Sequence, residues 1–214
     1  MRLHSVIYVP VYNEPASQTE NVYLSVMTSI ERLFTPHLAL RDARALTAIL
    51  VPELHRTRSY FAEEGRRSDR IGFIKRGLAR SFYITTHGEE MTICFAGAGS
   101  TVFDPVSFFS GDVARFSIQF LQDSEVFVTT RSQLKELYAT NARINTFARE
   151  RIEASYVFMM KRIIGHQTET AEQRYRDLMD SYPDLFLQIP QKHIASYLGI
   201  TESSLSRIRR KMTP

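Results

Sequence analysis

The densest chemistry in the chain lies in its last thirteen residues. Glu202, Ser203, Ser204, Ser206, Arg207, Arg209, Arg210 and Lys211 place short hydroxyls first and four cations after them, with one acid. Hydroxyls at the first turn of a helix suit close approach to phosphate or to base edges, helped by the positive end of the helix dipole. An arginine one turn further in, Arg207, has a fork that fits the O6/N7 edge of guanine. Arg209, Arg210 and Lys211 suit phosphates, which position a duplex without specifying its sequence. The alternative for such a run is the solvated basic face of an ordinary helical hairpin.

A helix with this face must be held at a fixed angle, and the residues before it can do that. Counting from Gln191 as the first place, small Ala195 stands fifth, where two helices cross too closely for a larger side chain. Gly199 stands ninth, where a tight turn needs positive φ. Ile194, Leu198, Ile200, Leu205 and Ile208 fill the places that face a shared core. Pro190 opens the first helix, Thr201 caps the second, and the second is expected to run to about Met212. One register thus meets seven requirements of a helix-turn-helix that inserts its second helix into the major groove. Gln191 and Thr201 join the predicted contact surface, and His193 is expected at the surface or facing DNA.

Other chemistries find little support. His4, His37, His55, His87, His166 and His193 are scattered, with no zinc-protease or other metal-ligand spacing. Gly97-Ala98-Gly99-Ser100 has Val102 where a dinucleotide fingerprint needs glycine, so it reads as a turn. Glu89-Glu90 beside Gly88 reads as a solvated turn, and no nucleophile elbow occurs. The single cysteine, Cys94, rules out an internal disulfide and a four-thiolate metal site. It lies in an apolar strand pattern and reads as a buried thiol. No catalytic and no metal-binding residues are assigned, and the chain is not expected to be an enzyme.

The remaining sequence must position that tail. The chain has 214 residues, 43% apolar and 23% charged, which suits one or two globular domains. A net charge of +4 permits a polyanionic partner without requiring one. No apolar run reaches the roughly eighteen residues of a membrane span, and the cysteine usage fits the cytoplasm. Residues 1–19 read as an N-terminal extension, with translation starting at Met1 or at Met27. Val22, Val26, Ile30 and Leu33 share one helix face; Pro36 interrupts it, residues 41–51 resume it and Pro52 stops it.

From residue 54 to 130 the period drops to two. Short runs such as Ile71–Ile74, Leu78–Ile84, Met91–Phe95, Phe116–Phe120 and Glu125–Val128 argue an antiparallel roll, with Gly88 in a hairpin turn. Residues 132–164 read as one long helix capped by Ser132. Ala148, Ile152, Tyr156, Met159 and Ile163 form its apolar stripe, while Arg143, Arg149, Glu150, Arg151 and Glu153 crowd the other faces. A helix of about 45 Å outruns a small domain, so a second copy of itself is the economical partner. Thr170 with Gln173 opens a further helix over 171–181, ended by Tyr182-Pro183. The division is therefore 1–19 extension, 20–131 sensor-like domain, 132–166 long helix and 167–214 helix-turn-helix domain. The fold class is α+β.

This order of elements resembles the Crp/Fnr family of transcription regulators. The resemblance runs from about residue 41 to the end. It is carried by Ile71-Gly72-Phe73-Ile74-Lys75-Arg76-Gly77-Leu78 and by Ile189–Thr201 with Leu205-Ser206-Arg207-Ile208. It implies a cyclic-nucleotide-type jelly roll as sensor, a homodimer through the long helix, a two-fold site on double-stranded DNA, and RNA polymerase as a further partner. The corresponding pocket residues are Phe95, Phe103, Asp104, Phe108 and Arg115. Where nucleotide-binding members have a Gly-Glu pair this chain has Phe103-Asp104, Pro105 lacks an N–H for a phosphate, and Arg115 falls one place late. These departures argue against a cyclic nucleotide, predict no cofactor and leave any other ligand open. A sensor or interaction module that no longer reads DNA is the alternative.

Overall fold

The computed structural model describes residues 30–181 and 187–212. The 1–19 extension, Val22, Val26, Met27 and the Tyr182-Pro183 stop lie outside those residues. Strands β1 (Val51–His55), β2 (Tyr60–Ala62), β3 (Arg70–Arg76), β4 (Ala79–Ile84), β5 (Glu90–Ala96), β6 (Thr101–Val102), β7 (Ser117–Phe120) and β8 (Ser124–Thr130) form two antiparallel sheets. One has the order β1-β8-β3-β6 and the other β2-β7-β4-β5. Ile74, Val102, Val126 and Val128 of the first meet Phe61, Ala79, Ala96, Ile118 and Phe120 of the second in one buried core. The period-two reading of residues 54–130 thus corresponds to a roll, and Gly88 takes φ +80° in the β4–β5 turn.

The helices around the roll differ in detail from expectation. Leu33 belongs to a single 3-10 turn, Glu31–Leu33, and helix α1 spans only Leu40–Thr47. The pattern over 41–51 was apolar enough for a longer helix, but Val51 already pairs with Val128. Pro52 is inside β1 rather than a helix stop. It is tolerated because β1 is the edge of its sheet, where a missing N–H interrupts little.

The long helix is a correction of the same kind. It is two helices, α3 (Arg131–Thr140) and α4 (Ala142–Thr168), after the short α2 (Pro105–Ser110). Thr130, not Ser132, caps α3, in a reciprocal capping box with Gln133. The break falls at Asn141, whose backbone is extended at φ −133° and ψ 93°. Its side-chain oxygen accepts from the N–H groups of Arg143 and Ile144, and its amide donates to Asp42 Oδ1 at 2.8 Å. A side chain that satisfies the first N–H groups of a new helix ends the old one without proline or glycine.

Helix α4, of 27 residues, is about 40 Å long. Its start is held in a cluster with α1 through Ile144, Phe147, Leu46 and Leu134. Three helices follow: α5 (Ala171–Ser181), α6 (Gln191–Leu198) and α7 (Glu202–Met212). Thr170 and Gln173 form the expected reciprocal cap of α5.

Candidate functional site

The α6–α7 pair is built as its spacing requires. Gly199 has φ +68° and closes α6, and the Ile200 N–H reaches back to the Ala195 carbonyl at 3.0 Å. Ile194, Ala195, Leu198 and Leu205 are buried in one cluster, with Ile200 and Ile208 packed against it. Thr201 Oγ1 accepts from the Ser204 N–H at 3.2 Å, so α7 begins with a satisfied cap. Gln191, Thr201, Glu202, Ser203, Ser206, Arg207, Arg210 and Lys211 are exposed, while Ser204 and Arg209 are half-buried. Arg207 Nη2 donates to Ser204 Oγ at 3.1 Å, which holds its guanidinium over the first turn.

The other side of α6 is fastened to the roll. β5 is the edge strand of its sheet, and α6 covers part of that edge. Ser196 Oγ donates to the Glu90 carbonyl and accepts from the Thr92 N–H, both at 2.8 Å. His193 is buried, not surface or DNA-facing as its sequence position suggests, because α6 turns that face onto β4 and β5. Arg80 Nη1 donates to His193 Nδ1 at 2.9 Å, and Arg80 Nη2 bonds Glu90 and Gln119. Burial, then the neighbouring Arg80 and Lys192, push the His193 imidazole down to about 4 against the pull of Glu90. From α4, Arg162 donates to the carbonyls of Ile93, Thr92 and Tyr197, and its guanidinium stacks 4.3 Å from the Tyr197 ring. Sequence spacing carries no signal for Arg80, Arg162 or Ser196, since each acts across a fold-level contact.

A cavity of about 360 Å³ lies between the roll, α2 and α4. Ile71 and Phe73 of β3, Ile93 and Cys94 of β5, and Phe103, Pro105, Phe108 and Phe109 at α2 line one side. Ile144, Phe147, Ala148, Ile152, Tyr156 and Met159 of α4 line the other. Phe103, Phe108 and Phe109 stack edge to face, with centroids 5.3 to 5.8 Å apart. Burial raises the Cys94 thiol and pushes Tyr138, also in the wall, up to about 12, so both stay neutral at pH 7.

Of the expected pocket residues, Phe103 and Phe108 line this cavity, and Phe95, Asp104 and Arg115 do not. Phe95 is buried against Tyr197 of α6, with centroids 5.5 Å apart. Asp104 caps α2 by accepting from the Ser107 N–H at 2.6 Å, a role that turns its carboxyl inward. Its pKa is raised by burial, against backbone N–H groups of Ser107, Arg115 and Val106. Arg115 is exposed and precedes β7. Arg151, which the sequence pattern puts on the faces of the long helix away from its apolar stripe, lines the cavity.

Ile152, Tyr156, Met159 and Ile163 stay exposed along α4, and Val157, Met160 and Ile164 extend that apolar strip. Ala148 is half-buried at its start. No helix among the described residues is long and apolar enough to cross a membrane, and no group of His, Cys, Asp and Glu among them has metal-ligand geometry.

Comparison with known proteins supports the architecture. A family model for the cyclic nucleotide-binding domain matches residues 53–141. The structure of FixK2 from Bradyrhizobium japonicum superposes with a TM-score of 0.69 at 16% identity, over 77% of this chain and 84% of that one. A double mutant of CooA from Carboxydothermus hydrogenoformans gives 0.64 at 13% identity, over 94% and 86%. The c-di-GMP-responsive global regulator CLP of Xanthomonas campestris gives 0.63 at 13% identity, over 81% and 91%. No curated protein matches the chain by sequence. The fold is that of Crp/Fnr-type structures, an antiparallel roll with helices before and after it.

Proposed function

We propose that the chain is a homodimeric, sequence-specific DNA-binding regulator of transcription. The observation that carries this reading is the α6–α7 pair, with its αL turn at Gly199 and the exposed face of α7. Two helices locked at a fixed angle by Ala195 and Leu205 can seat the second one in a major groove. Ser203 and Ser206 stand near the groove floor, Arg207 reads a base edge, and Arg210 and Lys211 meet phosphates. Gln191 and Thr201 approach the backbone from the start of each helix. Glu202, Ser204 and Arg209 complete the surface.

The exposed apolar strip on α4 is the dimer face. Ile152, Tyr156, Met159 and Ile163 recur at coiled-coil spacing, and a second copy related by a two-fold would bury them. That two-fold would set the two α7 helices about 34 Å apart, one turn of the duplex. A dimer so placed in the cytoplasm, near a promoter, would also meet RNA polymerase.

The cavity is the sensor's effector site. Three of its wall residues, Cys94, Ile93 and Phe158, also pack in or against the cluster that supports α6 and α7. Filling the cavity would therefore press on β5 and α4, the elements that fasten α6. A cyclic nucleotide does not fit the residues present. Pro105 offers no N–H at the start of α2, the Asp104 carboxyl is buried and caps its own helix through Oδ1 rather than lining the cavity, and Arg115 stands outside it.

Selection of randomised duplexes on the purified full chain tests the reading. Enrichment of an inverted repeat with half-sites about one helical turn apart is expected. Retention of duplex without any enriched sequence, lost steeply with added salt, would favour a module that has lost base readout.

A further inference from the structure

The cavity wall is apolar almost throughout, and its one charged group among the described residues is a guanidinium. Arg151 reaches into the wall from α4, beside Phe147, with its charge centre 5.6 Å from that ring's centroid. Its Nε and Nη1 are both shielded from water and have no hydrogen-bond partner among the described residues. Burial holds its pKa below the ordinary arginine value, against the pull of neighbouring Glu150. A guanidinium still remains charged under these conditions. Unpaired buried donors on a charged group cost free energy, and the same group aimed into a cavity is an anchor for an anion.

The rest of the wall decides what that anion is attached to. Phe103, Phe108, Phe109 and Tyr156 offer aromatic surface. The remaining polar groups are few, and the Ser155 hydroxyl is already given to the Arg151 carbonyl at 2.9 Å. A sugar or a second negative charge would find no partners. The volume of about 360 Å³ lies at the small end of ligand sites, which run from about 300 to 1,000 Å³.

We propose that the cavity binds a small apolar carboxylic acid, with its carboxylate paired to Arg151 and its aromatic or aliphatic body against Phe103, Phe108 and Phe109. The proposal rests on the reading of this cavity as the effector site. Its test uses no DNA, so failure of base readout and failure of ligand binding are seen separately.

The test is isothermal titration at pH 7 of 1-naphthoate, and of the neutral 1-naphthalenemethanol, into the full chain. Wild type, Arg151→Met and Arg151→Lys are compared. One naphthoate per chain is expected, bound about tenfold or more tighter than the alcohol, the scale of one charge-assisted hydrogen bond. Arg151→Met should lose that preference and keep its affinity for the alcohol within about twofold, which also shows a folded cavity. Arg151→Lys should recover part of it, because it restores charge without the planar fork. Equal affinity for acid and alcohol in the wild type overturns the proposal. So does an equal loss of both in Arg151→Met. Absence of binding by either probe overturns it as well, and a dimer abolished by Ile152→Glu would then identify a second copy as what fills the groove.

Discussion

The α6–α7 pair occupies one uninterrupted run, Gln191–Met212, whereas the cavity gathers its wall from β3, β5, α2, α3 and α4. In the pair, every structural requirement is a spacing: a small residue here, a glycine four places on, apolar residues on one face. In the cavity, Phe109 and Arg151 come to line one wall only after the roll has closed and α4 has packed on it. The pair has a polar outer face with its caps made, and the cavity has two shielded nitrogens of Arg151 without a partner among the described residues. One region is finished as it stands and the other asks for a ligand.

Five substitutions and one titration press on that contrast, and the largest effect belongs to the finished region. Leu205 is fully buried where the two helices cross. Leu205→Ala should cost about 2–5 kcal/mol and abolish DNA retention, read by thermal unfolding followed through circular dichroism. A variant with an unchanged unfolding transition would show that the pair is not packed as described. Next comes the outer face. Arg207→Ala should weaken the preferred duplex by about 1–3 kcal/mol and relax preference at one base pair, while Lys211→Ala weakens all duplexes alike. Competition binding with single-position variants of the site separates the two, and equal behaviour of both changes would reverse the assigned roles.

The cavity should respond with the opposite sign. Removing an unpaired buried charge relieves its desolvation, so Arg151→Met should stabilise the ligand-free chain by about 1 kcal/mol or more. Chemical denaturation measures this, and a destabilised variant would mean that Arg151 has a structural partner. The smallest effect at neutral pH concerns the seam between the regions. His193 is neutral in the docked form, with its pKa near 4 against an ordinary 6.5. The docked form therefore binds fewer protons than the undocked one, and it is fully favoured above about 6.5. That stabilisation should fade as pH falls from 6.5 through about 4, with Arg80, Lys192 and Glu90 facing the ring throughout. Hydrogen exchange of residues 191–198 should accelerate over that range, and His193→Gln should flatten the change.

The same contrast explains what could be read in the residues alone. The roll was legible because half-buried strands alternate, and the tail because Ala195, Gly199 and Leu205 carry meaning by position. Asn141 was legible only in part: its cap on Arg143 and Ile144 is local, but the Asp42 that accepts its amide lies far away in the chain. Pro52 was misread because an edge strand tolerates what a helix does not. Arg151 stands among other charged residues off the apolar stripe, and only the fold shows that the roll covers part of it. His193 was misplaced for the matching reason, since only docking on β4 and β5 removes it from water. Most of these residues have neighbours distant in sequence; the cap of α3 is the exception, since Thr130 and Gln133 stand three places apart.

The most direct measurement is stoichiometric titration of the enriched duplex, intact and with one half-site scrambled, against the purified chain at fixed salt. The account predicts two chains on the intact duplex and an affinity about a thousandfold or more above that for random sequence, with most of it lost when one half-site is scrambled. Equal affinity for intact, scrambled and random duplexes would contradict it, and the basic face of α7 would then be a surface that attracts phosphate without reading bases.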